Sequence, residues 1–296
     1  MMKKKIMVTG CTGFIGSCFL ERVKDKYDVV CLVRENKKIT SKAKAVYGSL
    51  SDAEKLDEAL KDVDAVVHLA AAVGVVNSNE NYESNVKGTK NLVEACKRNN
   101  VSRIIYTSSV SVTRKKMGAY GRTKLMGEKV ITESDMEYTI LRPTMVYGKK
   151  SRGLKRILKY VNMFPGIVPI VGSGRNLRQP VYVYDVCEAI VKCLENGISK
   201  RKIYDLAGPD QISFNDLVDM INEIQGKKKI KIHVPAFICN FSSSLIEKIL
   251  KNPPFTSENI RSLSEDVRMD ISDLRNDVNY DPIKLKDGLK EVLGGH

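Results

Sequence analysis

The 296-residue chain contains no Cys-x-x-Cys pair, no internal repeat and no low-complexity tract. It also has no apolar run near the roughly 18 to 20 residues that a membrane helix needs. Its seven cysteines, at positions 11, 18, 31, 96, 187, 193 and 239, are odd in number and scattered. That argues against a zinc site or a disulfide framework, so no metal site is expected and a cytoplasmic location fits the free thiols. Three lysines pass straight into the strand-like Ile6-Met7-Val8, so neither a signal peptide nor a membrane span is expected. No stretch interleaves bases with aromatics, so the net charge of +14 is not read as a nucleic-acid surface. Spread along the chain, this charge solvates the surface, and part of it would attract a phosphate-bearing substrate.

What is present is an alternation of short β-branched runs with longer helical patterns, the signature of a parallel sheet wrapped by helices. Strands are predicted at 5–9, 28–33, 65–68, 103–107 and 138–141. Val86, Thr89, Val93 and Cys96 share one face of a helix over 85–98, which Asn85 would cap. Val181 to Val183, followed by the apolar helix around Val186 to Ile190, reads as a strand and helix returning to the same sheet. Past Gly148 the alternation breaks down among Pro165, Pro169, Gly172 and Gly174, and from Gly208 onward the chain reads as mostly helical. The fold class expected is therefore α/β, a doubly wound parallel sheet with a smaller, mostly helical C-terminal lobe. Residues 1–148 and 180–207 would form the nucleotide-binding domain, and 149–179 with 208–296 the substrate-binding lobe.

Between the first strand and an amphipathic helix stands Thr9-Gly10-Cys11-Thr12-Gly13-Phe14-Ile15-Gly16. Glycine is needed where backbone must approach a pyrophosphate, and the helix N-terminus offers free N–H groups and a positive dipole. Gly10, Thr12, Gly13, Phe14, Ile15 and Gly16 are thus candidate cofactor contacts. The end of the second strand faces the adenine ribose in such folds, where an acid holds the 2′-hydroxyl of NAD and an arginine accommodates the 2′-phosphate of NADP. Arg34 falls there, which favours NADP(H) over NAD(H). Glu35 is its neighbour, and a shifted loop would restore an NAD contact.

Tyr120 and Lys124 are four residues apart, on one face of a helix. A tyrosine with a pKa near 10 is a poor base at neutral pH. An ammonium about 4 Å away, at an effective dielectric near 20, would favour the phenolate by on the order of 4 kcal/mol before desolvation. Even half of that would lower the pKa by more than about one unit, letting Tyr120 exchange a proton with a substrate hydroxyl or carbonyl. Ser109 ends the preceding strand, and its hydroxyl could bond the same substrate oxygen. Leu69-Ala70-Ala71 would lie beside the cofactor, because small side chains let a ring system pack closely against backbone. His68, in an apolar run, reads as a strand-end core residue.

The marks Thr9 to Gly16, Asp64-Ala65-Val66-Val67-His68-Leu69-Ala70-Ala71, Asn85-Val86-Lys87-Gly88-Thr89, Tyr106-Thr107-Ser108-Ser109, Tyr120-Gly121-Arg122-Thr123-Lys124 and Leu141-Arg142-Pro143 leading to Val146-Tyr147-Gly148 occur in an order that resembles the short-chain dehydrogenase/reductase superfamily. The likeness covers most of the chain and is greatest to the extended branch of epimerases, dehydratases and reductases. It implies a Ser109, Tyr120, Lys124 catalytic set, selecting Ser109 over Ser108. It also implies cofactor contacts from Thr107, Pro143 and Thr144, Lys124 holding the ribose, and Asn85 propping the active site, with the helix-cap role as the alternative. A homodimer through the Tyr-Lys helix and its neighbour is common in such relatives.

The stretch from Gly172 to Val186 resembles the segment of nucleotide-sugar epimerases in which an arginine reaches the diphosphate, and Arg178 occupies that position. Two features depart from the pattern. The late Arg-x-Gly-Asp is replaced by Leu263-Ser264-Glu265-Asp266, with Arg261 or Arg268 as substitutes, and Met145 stands where many epimerases carry asparagine. An apolar segment, Val234 to Phe241 continuing through Leu245-Ile246 and Ile249-Leu250, would pack on the lobe core, line a greasy pocket or rest on a membrane surface. The resulting expectation is an NAD(P)-dependent epimerase, dehydratase or ketoreductase acting on a nucleotide sugar. The alternatives are an NADPH-dependent reductase of a non-nucleotide carbonyl compound, of the flavonol or steroid type, and a non-catalytic NADPH-binding assembly subunit.

Overall fold

The computed structural model describes residues 3–39, 43–73, 78–235 and 266–294. The chain divides into two compact units, one of Met1–Thr144, Val183–Leu206 and Asp270–Asp281, the other of Met145–Tyr182, Ala207–Met269 and Pro282–His296.

In the first unit, β1 (Lys5–Thr9), β2 (Asp28–Val33), β3 (Lys44–Tyr47), β4 (Ala65–His68), β5 (Arg103–Thr107), β6 (Glu137–Pro143) and β11 (Lys202–Leu206) form one sheet. Its order is β11-β6-β5-β4-β1-β2-β3 and every pairing is parallel. The helices are α1 (Phe14–Val23), α2 (Ala53–Leu60), α3 (Ser78–Tyr82), α4 (Gly88–Arg98), α5 (Ala119–Thr132), α7 (Val183–Glu195) and α9 (Ser272–Val278). A sheet covered on both faces buries every residue of its central strands, and β4 and β5 are buried throughout. Met7, Val30, Leu32, Val66, Ile104 and Ile140 meet Leu56, Leu60, Leu92, Val93 and Ile131 in one core. Because β1 lies between β2 and β4, the chain reverses its winding there, which opens a crevice at the carboxyl ends of the strands.

The second unit holds α6 (Arg152–Val161), α8 (Phe214–Ile224), α10 (Leu285–Leu293) and three two-stranded sheets. These pair β7 (Val146–Tyr147) with β10 (Val181–Tyr182), β9 (Leu177–Arg178) with β12 (Ile212–Ser213), and β8 (Ile167–Val171) with β13 (Ile230–Val234). No helix among the described residues is long and apolar enough to cross a membrane.

Two sequence expectations are corrected. The run at 181–183 does not return to the main sheet: β10 pairs with β7, and α7 begins at Val183. The returning strand is β11, whose Lys202-Ile203-Tyr204-Asp205-Leu206 lies on a sheet edge, is only partly buried and therefore lacks an apolar signature. Nor does Asn85 begin a helix. The helix starts at Ser78 and widens into a π-helical turn at Glu83–Lys87 before α4, leaving Asn85 inside it with its side chain engaged elsewhere. The apolar segment beyond Pro235, Arg261 and Leu263 to Glu265 lie outside the described residues.

Candidate active site

The glycine turn leaves β1 at Thr9 and enters α1. Gly10 has φ of 71°, and a Cβ there would lie 2.5 Å from the Ala70 nitrogen, so both its conformation and the loop after β4 demand glycine. A Cβ on Gly16 would stand 2.2 Å from the Gly10 carbonyl oxygen, and its absence lets α1 start against the turn. Gly13 caps α1 without a side chain to accept from the helix, no acid lies in the first turn, and Thr12 and Gly13 are exposed. With no side-chain cap, the first N–H groups of α1 are left outside the intrahelical ladder at a positive helix end. Phe14 and Ile15 are partly buried, as are Leu69, Ala70 and Ala71 at the end of β4. The Thr107 and Ser108 hydroxyls, at the end of β5, are buried without a hydrogen-bond partner. These groups could hold a dinucleotide: free N–H groups suit a pyrophosphate, and the unpartnered Thr107 hydroxyl leaves room for a polar ligand atom. Pro143 and Thr144, closing β6, are buried on the same rim, and the Thr144 N–H bonds the Leu206 carbonyl of β11.

A continuous hydrogen-bond chain ties this rim to the helix that carries Tyr120. The Ala70 N–H donates to Thr9 Oγ1 at 3.3 Å, and Thr9 Oγ1 lies 2.6 Å from His68 Nδ1. His68 Nε2 is 3.0 Å from Thr89 Oγ1, which donates its own proton to the Asn85 carbonyl at 2.8 Å. With Thr89 committed as donor, His68 carries its proton on Nε2 and accepts from Thr9 on Nδ1. Burial, and secondarily the charge of Lys124, push the imidazole down to about 3, so it stays neutral. The Asn85 side chain accepts the Ala72 N–H at 2.8 Å and donates to the Ala72 carbonyl at 3.3 Å and to Thr123 Oγ1 at 3.1 Å. Asn85 thus fastens the loop after β4 to α5. Sequence reasoning placed His68 in the core but missed the relay, because threonines twenty or sixty residues away carry no local signal.

Tyr120 sits in the first turn of α5 and is partly exposed, while Lys124, one turn on, is buried at 1% exposure. The Lys124 ammonium stands 3.9 Å from the Tyr106 ring centroid, over a face that attracts cations. Burial nevertheless pushes Lys124 down to about 7, opposed by the charge of Glu128. The Tyr120 phenol goes the other way from the expectation of a lysine-lowered pKa. Burial pushes it up to about 12, and only the neighbouring Ser109 hydroxyl pulls it back. The physical reason is desolvation, which penalises phenolate and ammonium alike and outweighs an attraction that one-turn spacing alone cannot guarantee. Ser109 also accepts the Ser111 N–H at 3.1 Å, which caps the 3-10 turn Val110–Thr113 and holds its hydroxyl beside Tyr120.

Glu128, a further turn along α5, was not singled out from sequence, although the four-residue spacing of Tyr120, Lys124 and Glu128 marks one face. Its carboxylate is 3% exposed and takes two hydrogen bonds from Arg142 at 2.9 and 2.6 Å. The structure therefore brings Ser109, Tyr120, Lys124, Asn85 and Thr107 together in one unit with the glycine turn. Arg34 directly follows β2, is exposed, and accepts the Lys37 N–H on its carbonyl at 2.8 Å in a tight turn. Arg178 belongs to the second unit, on β9 opposite Ile212.

The profile of the NAD dependent epimerase/dehydratase family matches residues 6–207. The N-acetyl-alpha-D-glucosaminyl-diphospho-ditrans,octacis-undecaprenol 4-epimerase of Escherichia coli O157:H7 is 26% identical, spanning 99% of this chain and 95% of that protein. A putative UDP-glucose 4-epimerase of Methanocaldococcus jannaschii is 31% identical over 73% of this chain and 81% of its own. The fold is shared with UDP-glucuronic acid 4-epimerase from Bacillus cereus, solved with NAD, at a TM-score of 0.77 and 23% identity over 98% of each chain. With a family match over most of its length and the glycine turn and Tyr-Lys helix in one unit, the chain belongs to the NAD-dependent epimerase/dehydratase family, enzymes of the extended short-chain dehydrogenase/reductase type.

Proposed function

We propose that the protein acts on a sugar carried by a nucleoside diphosphate, as an epimerase, dehydratase or ketoreductase, with Tyr120 moving the proton of the reacting hydroxyl. The observation that carries this reading is the Tyr120 phenol close enough to Ser109 for that hydroxyl to lower its pKa, one turn from a buried lysine and in the same unit as the glycine turn. A nicotinamide dinucleotide supplies the hydride acceptor or donor. The α1 N-terminus with Gly10, Thr12, Gly13, Phe14, Ile15 and Gly16 would hold its phosphates, and Leu69, Ala70, Ala71, Thr107, Pro143 and Thr144 its nicotinamide half. Lys124 would bond the ribose, which would favour its charged form against the burial that lowers its pKa. Ser109 orients the substrate oxygen toward Tyr120, whose phenol, held protonated by burial, donates its proton to that oxygen when a carbonyl is reduced. To take a proton from a hydroxyl in the oxidative direction it must first lose its own, which a charged Lys124 would favour. Arg178 would bind the substrate diphosphate.

NADP(H) is favoured over NAD(H) because Arg34 is exposed at the end of β2, with Lys37 and Lys38 exposed in the same turn. Three cations around a ribose 2′-phosphate suit that group better than Glu35 suits a 2′-hydroxyl. The names of the relatives, with UDP in one and an undecaprenyl diphosphate in the other, support a diphosphate-linked sugar. A cytoplasmic enzyme, dimeric through α4 and α5, completes the reading; Met126 on α5 is 41% exposed.

Tyr120→Phe tests the chemistry. Cofactor binding, followed by thermal shift, should persist while turnover falls by roughly 100-fold or more; a rate equal to wild type removes Tyr120 from the mechanism. Thermal-shift titration with NAD, NADP and uridine, guanosine and thymidine diphosphate sugars reports cofactor and carrier together.

A further inference from the structure

We infer that the second unit carries a docking surface for an anionic lipid membrane, built from α6, the loop after it and the β8–β13 ribbon. This goes beyond the activity proposed above and does not depend on it.

The ribbon supplies the apolar part. In its parallel register Ile230 pairs with Ile167, Ile232 with Pro169 and Val234 with Val171. Strand side chains alternate between faces, so these six residues share one face and Val168 and Ile170 share the other. Val168 and Ile170 are fully buried. The six on the opposite face are not: Ile230 is 71% and Ile232 45% exposed, and Ile167, Pro169, Val171 and Val234 are partly exposed. The loop entering β8 adds Met163 and Phe164, each 43% exposed. It is fixed beside the start of β13, because Lys229 Nζ bonds the carbonyls of Val161 and Phe164 at 2.7 and 3.0 Å and Lys227 Nζ bonds Asn162 Oδ1 at 2.8 Å. Exposed apolar side chains gathered on one face and rimmed by polar residues mark an interaction site.

The rim is predominantly basic, although Asp219 of α8 pairs with Lys231 of β13. Residues 145 to 182 contain eight lysines and arginines and no aspartate or glutamate, and Lys227, Lys228 and Lys229 follow at the start of β13. On α6 the exposed residues include Arg152, Lys155, Arg156 and Lys159, whose spacing lays them in one stripe. Ile157 and Leu158 between them, and Tyr160 after them, are only partly buried. Like charges oppose a second copy of the same face. Nucleic acid would satisfy the lysines but leave the isoleucines, Met163 and Phe164 without a partner, whereas an anionic bilayer offers phosphates to the rim and acyl chains to the centre.

The test is co-sedimentation of the full chain, without substrate or cofactor, with vesicles of phosphatidylcholine alone and of equimolar phosphatidylcholine and phosphatidylglycerol. Binding should be confined to the anionic vesicles and weaken with salt. Lys155→Gln with Arg156→Gln should lower the partition coefficient about 25-fold, at about fivefold per cation removed. Ile230→Ser with Ile232→Ser should lower it on the order of tenfold or more. Since those isoleucines are exposed, an unchanged thermal transition certifies the fold. Binding to neither vesicle, or equally to both, overturns the inference. So does binding that ignores the isoleucine changes and is matched by binding to RNA. Each of these outcomes is separate from the activity test of Tyr120.

Discussion

Replacing Lys124 by methionine should stabilise the cofactor-free protein against urea while abolishing turnover, and the gain should shrink as pH rises. Lys124 is 1% exposed and its ammonium is pushed down to about 7, whereas an unfolded lysine titrates near about 10.4. Below pH 7 both states hold the proton, and the folded state bears the whole cost of the buried charge. That cost is at most about 5 kcal/mol, from about 1.36 kcal/mol for each pH unit separating the two pKa values. Between roughly pH 7 and pH 10 the folded lysine has released its proton and the unfolded one has not. The unfolded state then binds more protons, so wild-type stability rises with pH across that window. From about pH 6 to pH 9 the relief amounts to roughly 2 to 3 kcal/mol. The Tyr106 face, 3.9 Å from the ammonium, returns on the order of 1 to 2 kcal/mol to the charged form, which brings the expected change to about 1 to 3 kcal/mol. Methionine keeps the length and apolar stem without the charge, so the difference between the two proteins isolates Lys124. Urea titrations at both pH values, compared at equal m, measure it. A gap that stays constant or widens toward pH 9 refutes the reasoning, as does a methionine variant less stable than wild type at pH 6.

Asn85→Ala removes the clamp on Ala72 and leaves buried peptide groups unmatched, so chemical denaturation should show a loss of about 1 to 3 kcal/mol, with turnover reduced through the misplaced loop. Equal stability would mean that the π-helical turn, not the amide, holds the loop after β4. Arg34→Glu should reverse cofactor preference, weakening NADP by on the order of tenfold or more through a lost charge-assisted contact and leaving NAD binding intact; isothermal titration with both dinucleotides decides this, and an unchanged ratio places the ribose elsewhere.

β1, β2, β4, β5 and β6 of the central sheet were legible because they lie inside it, covered on both faces, and are therefore largely apolar. The two edge strands were not: β3 and β11 flank the sheet and need less apolar surface, while β10 was legible as a strand but not in its pairing, since it shares its composition with a core strand and pairs elsewhere. Asn85 was legible as a residue of interest but not as a clamp, since its partners Ala72 and Thr123 come from two other segments.

The sequence by itself determined the glycine turn, the Tyr120 and Lys124 spacing and the family, because each is a local pattern in which neighbours along the chain impose the geometry. Only the tertiary structure decided the protonation state of the site. Desolvation of Tyr120, Lys124 and His68 depends on which strands and helices close over them, and dielectric surroundings are a property of the packed core that no spacing of residues encodes.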